Sequence, residues 1–130
     1  MPAPVLPRFV LATAAVLFVA FGIAFAAAPQ RLAAMVDLPL LTNTARADFV
    51  ATYGGFQIGF GIFLFTCLLR PERVRVGLLA SGCAVAGFAI SRGVAILVLR
   101  DVKPVMYYAL AFETVCASAA FLAARRAGER

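Results

Sequence analysis

The chain has 130 residues, 64% of them hydrophobic and only 14% charged, and carries a net charge of +6. A water-soluble domain runs nearer about half apolar and a quarter charged, so these few polar groups cannot cover a soluble globule and the solvent they leave uncovered is lipid. Of the twelve basic residues eleven are arginine, set at the ends of apolar runs rather than along one polar face, which argues against nucleic acid and for anionic lipid headgroups as partners.

The first apolar run, residues 9–28, has no charge and lies between Arg8 and Pro29. Ala26, Ala27 and Ala28 resemble a signal-cleavage site, but the run is longer than a signal h-region, so a retained first helix is expected. Residues 29–45 are amphipathic and broken at Pro39, which predicts a short interfacial helix followed by a turn. Thr44 is the expected N-cap of the next element. The second span is expected over residues 46–69, the third over 76–99 and the fourth over 105–124. Tight basic connectors separate them: Arg70, Arg73 and Arg75 surround Pro71, and Arg100 and Lys103 precede Pro104. The expected fold is therefore all-α: an integral membrane four-helix bundle, antiparallel, with a short interfacial helix between helices 1 and 2. Residues 1–130 form a single domain in this scheme, and no long internal repeat suggests otherwise.

Seven basic residues (Arg8, Arg70, Arg73, Arg75, Arg125, Arg126, Arg130) fall on the side of the termini and four (Arg31, Arg46, Arg100, Lys103) on the other. The positive-inside rule then puts both termini in the cytoplasm. The absence of histidine removes the commonest metal ligand and general base. Cys67, Cys83 and Cys116 lie in apolar runs without a CxxC spacing and read as small core residues, so neither metal nor cofactor is expected.

Arg92 and Glu113 are the costly residues. A charge at mid-span costs about 2.5–3.5 kcal/mol on the insertion scale, and such residues usually face the bundle interior in pairs. Arg92 lies about 12 Å and Glu113 about 13 Å from the same end of their helices, at 1.5 Å per residue. A short connector makes these helices antiparallel neighbours, so the two charges meet at one level and an ion pair is expected. Tyr53, about 10 Å below Arg46, and Gln57 one turn further complete a polar layer in the outer half of the bundle. The bland alternatives are a structural salt bridge for the charges and interhelical hydrogen bonding for Tyr53 and Gln57. Arg46, Asp48, Asp101 and Lys103 are expected at the outer rim, Tyr107 and Tyr108 as interfacial anchors. Gly55-x-x-x-Gly59 and the small residues Ala109, Cys116, Ala117 and Ala120 are expected to let helices approach closely.

The strings ADFVATYGGFQIGFGIFL and GFAISRGVAILVLRDVKP, followed by Glu113, resemble a family of small bacterial four-helix membrane proteins, the domain of unknown function 4345. The resemblance spans residues 9–124 and rests on Tyr53, Gly54, Gly55, Gly59, Arg92, Asp101, Pro104 and Glu113. Where members carry an arginine three residues before the tyrosine, this chain has Val50, with Arg46 one helical turn earlier. The resemblance implies a multi-pass protein of a bacterial inner membrane and brings no established activity with it.

Three functions compete. The first is a pocket for a lipophilic small molecule or lipid, with Tyr53, Gln57, Arg92 and Glu113 as ligand-binding candidates and Arg46, Asp48 and Asp101 at its rim; a carboxylate and a phenol beside an apolar cavity could also support proton transfer. The second is an accessory or assembly subunit binding another membrane protein, or a second copy, through its glycines. The third is a proton-coupled transporter, disfavoured because a glutamate locked in an ion pair is a poor proton carrier.

Overall fold

The computed structural model describes residues 5–128, all of its regular structure helical. Arg130, one of the basic residues counted by side, lies outside them. Helix α1, Val5–Ala27, starts before Phe9 because Pro7 falls in the first turn, where its missing N–H leaves no bond unmade. It stops short of Pro29, and Ala28 takes an extended φ of −134°, as the residue before a proline should. Pro29 then opens the short helix α2, Pro29–Ala34. Asp37, at a φ of 56°, turns the chain away from it.

The next span, α3, covers Asn43–Leu68. Its N-cap is Thr42, whose hydroxyl accepts from the Ala45 amide at 3.1 Å. The cap expected at Thr44 is corrected: the Thr-Asn-Thr string offers two hydroxyls, and the earlier one captures the first free amide. Thr42→Ala removes about 1 kcal/mol of local helix stability, so hydrogen exchange at the Ala45 amide should quicken about fivefold.

A single turn of tighter helix, Pro71–Arg73, leads into α4, Val74–Leu99. The last helix, α5, is Pro104–Gly128 and continues past Ala124. Arg125 and Arg126 occupy its final turn, where the negative end of the helix dipole favours cations. Four helices, α1, α3, α4 (with its entry turn) and α5, are long and apolar enough to cross a membrane. The chain is a multi-pass membrane protein. Its large exposed apolar side chains, among them Phe9, Phe56, Leu97 and Val115, face lipid.

The helices associate as two antiparallel pairs, α1 with α3 and α4 with α5. Glycine decides the first pairing. A Cβ on Gly22 would stand 2.8 Å from the Gly54 carbonyl oxygen, and one on Gly61 would stand 2.9 Å from that of Ala15. The two backbones touch glycine to glycine at Gly22 and Gly54, and glycine to alanine at Gly61 and Ala15. The expectation that Gly55 and Gly59 mediate close approach is corrected: a Cβ at Gly59 meets nothing within 4 Å, and one at Gly55 meets only the Val50 carbonyl of its own helix.

The pairs join at the end bearing the two described termini. Leu11, Ala15, Leu64, Cys67, Val74, Leu78, Ala123 and Ala124 form one buried cluster there. Toward the opposite end fewer residues are buried: α3 buries only Phe49 and Gly54 before Gly61, and α5 buries nothing before Ala117. The bundle is sealed at the terminal end and loosest in the half that holds the costly residues.

Candidate functional site

Arg92 and Glu113 sit on the bundle-facing sides of α4 and α5. Arg92 shares its face with the buried Leu78, Ser81, Ala89 and Ile96, and Glu113 shares its face with Ala117, Ala120 and Ala124. The connector from Arg100 to Lys103 is short, so α4 and α5 must run side by side and present equal depths to each other. The carboxylate accepts two hydrogen bonds from one guanidinium: Nε to Oε2 at 2.9 Å and Nη2 to Oε1 at 2.7 Å. This bidentate geometry is the strongest arrangement the two groups can make. It cancels both charges in a medium where a lone charge is costly.

Two further features set this pair apart from a sealed strut. Arg92 Nη1 donates to the thioether of Met106 at 3.3 Å, so the guanidinium spans from Glu113 toward the outer end of α5. The pair is also open: 26% of the Arg92 side chain and 14% of the Glu113 side chain remain accessible. A guanidinium carries five N–H donors. Among the described residues three of them find partners and two do not.

Tyr53 lies across the bundle on α3. The helix there, Val50–Gly55, is wound as a π-helix, an uncommon form that recurs at functional sites. Val50 and Thr52 are stiff at χ1 and Gly54-Gly55 is permissive, a local composition with little preference for the regular α turn. The Tyr53 ring stacks on Phe49 at 4.6 Å and leans on Phe25 of α1 at 5.7 Å. These contacts hold the ring and leave its hydroxyl free. Tyr53 is 42% exposed. Gln57 is half-buried one turn on. Among the described residues, neither Tyr53 nor Gln57 makes a side-chain hydrogen bond.

The structure thus joins Arg92 to Glu113 directly, and places Tyr53 against Phe49 and Phe25 with Gln57 one turn further on α3. The rim residues Arg46, Asp48 and Asp101 are exposed at the far end and form no ion pair among the described residues. Lys103 does pair, with Asp37 at 2.6 Å, tying the segment after α2 to the start of α5. Sequence reasoning missed Asp37 because the two residues are far apart in the chain; only its position before Pro39 hinted at a turn. No group of three metal-binding side chains gathers among the described residues.

A groove of about 320 Å³ opens between α4 and α5. Its walls include Ala89, one turn from Arg92, and Thr114, next to Glu113, with Ile90, Leu110 and Phe121. Neither charged residue lines it, so the apolar recess adjoins the ion pair instead of enclosing it. The Thr114 hydroxyl is spent on the Leu110 carbonyl at 2.7 Å, which makes this wall less polar than its sequence suggests.

The family described as "Domain of unknown function (DUF4345)" matches residues 6–124. No curated protein matches the chain, and no solved structure does.

Proposed function

The chain belongs to the DUF4345 family, and from that premise, which names no activity, we propose that it binds a lipophilic small molecule or lipid within the membrane, beside the Arg92–Glu113 pair. One observation carries this proposal. A bidentate ion pair stands inside the spans, in the loosest half of the bundle, partly open and with unused N–H donors. A purely structural pair gains most when sealed and fully satisfied; this one keeps hydrogen-bonding capacity facing an apolar medium that cannot use it. The unbonded Tyr53 hydroxyl supports the same conclusion. So does the groove between α4 and α5, which offers room for a chain one helical turn from the charges. By the excess of arginine on the side of the termini, that side is cytoplasmic and the site opens in the outer leaflet.

Native mass spectrometry of gently extracted protein tests the proposal. The wild type should carry a bound lipophile in near-stoichiometric amount. The paired replacement Arg92→Met with Glu113→Leu, which removes both charges and keeps apolar volume, should lose it. Identical bound species in the two proteins, or none in either, would remove the basis for a site here.

An observation on α3 favours a second function, that of accessory subunit. Gly55 and Gly59 present open backbone to the lipid, which another membrane helix could cover. A stoichiometric partner, recovered from native membranes and lost with Gly59→Leu, would support it.

A further inference from the structure

The hydrogen-bond and charge inventory of the site restricts what it can hold, given that it binds a lipophile as proposed above. We infer that the polar end of the ligand is an uncharged hydrogen-bond acceptor, the carbonyl of a long-chain ketone, ester or quinone, rather than a carboxylate, a phosphate or an ammonium. Charge comes first. Arg92 and Glu113 cancel each other at 2.7 Å, so an anion approaching the guanidinium also meets the carboxylate, and a cation approaching the carboxylate meets the guanidinium. Either ion would enter an apolar medium with no net counter-charge, at the full cost of its desolvation. The remaining charges of this side stand outside the layer: Arg31, Arg46, Asp48, Arg100 and Asp101 are exposed toward the rim, and Lys103 is held by Asp37 at 2.6 Å.

Hydrogen-bonding capacity comes second. Both Glu113 oxygens already accept from Arg92. The groups without a partner among the described residues are two guanidinium N–H groups, the Tyr53 hydroxyl, which can donate and accept, and the Gln57 amide further along α3, with two N–H donors and an accepting oxygen. The strongest free donors of the site are the charge-assisted guanidinium N–H groups. A carbonyl oxygen, with two lone pairs, can accept from both of them.

Three chains of equal character separate these classes: undecyl methyl ketone, laurate and lauryltrimethylammonium, each added to the protein in nanodiscs of phosphatidylcholine. The ketone should raise the midpoint of thermal unfolding, with laurate and the ammonium giving smaller shifts at equal membrane loading. Tyr53→Phe keeps the ring on Phe49 and removes one donor, and should weaken ketone binding about three- to tenfold. A larger shift with laurate or the ammonium, lost on replacing Arg92 and Glu113 together, would overturn the neutral-acceptor inference and leave the binding site standing. No response to the ketone, in protein that mass spectrometry shows to carry an Arg92-dependent lipophile, would overturn it likewise. Absence of any lipophile in both assays removes site and ligand class together.

Discussion

Glu113→Gln lowers the unfolding free energy of the solubilised protein by about 3 kcal/mol, the low end of what breaking a buried ion pair costs, because this pair is not fully enclosed. The loss arises less from the missing attraction than from what remains. The Arg92 guanidinium keeps its charge and its position inside α4, with one amide oxygen and the Met106 sulfur to accept from it and no countercharge. Removing both partners is a different experiment. The variant with Arg92→Met and Glu113→Leu carries no stranded charge and should stand within about 1 kcal/mol of the wild type or above it, since well-packed apolar replacements of buried pairs are often neutral or stabilising. Equilibrium unfolding in mixed micelles, arranged as a double-mutant cycle, reads the coupling directly. Single and double variants of equal stability would mean that the pair is solvated and couples little.

Gly61→Val should be the most damaging small substitution in the α1–α3 interface. A Cβ at this position would stand 2.6 Å from a Val19 methyl and 2.9 Å from the Ala15 carbonyl oxygen. The side chain can rotate away but the carbonyl belongs to the backbone, so the helices must separate. Overpacking of this kind costs about 1–3 kcal/mol. Gly59→Ala is the control, because it lies only two residues away and meets open space; its better helix propensity should leave stability unchanged or raised by up to about 1 kcal/mol. A shift of the thermal midpoint in the reverse order would show that α1 packs on the other glycine face.

The contrast between these glycines shows where sequence reasoning stops. Span number and approximate limits were legible because charge-free runs of the right length admit few alternatives. The ion pair was legible for a similar reason: a fixed rise per residue and a short connector convert position into depth. Which face of α3 meets α1 was not, since a helix apolar all round has no amphipathic signal to orient it. Gly54 and Gly61, which meet α1, stand seven apart and lack the GxxxG spacing that Gly55 and Gly59 have. The π-wound segment around Tyr53 was also invisible, because tandem glycines allow several windings and the choice falls to the Phe25 and Phe49 contacts. The Asp37–Lys103 bond joins elements whose proximity only the folded chain reveals.

A photoreactive benzoylphenylalanine at position 53 would test the intramembrane site most directly. Its aromatic ring can occupy the Tyr53 place on Phe49, on the helix that faces the proposed site. Irradiation in native membranes should yield one dominant covalent adduct, of a mass distinct from the bulk phospholipids. That adduct should disappear when Arg92 and Glu113 are replaced together by Met and Leu. Adducts with bulk phospholipid alone, unchanged by that replacement, would contradict a binding site at the ion pair.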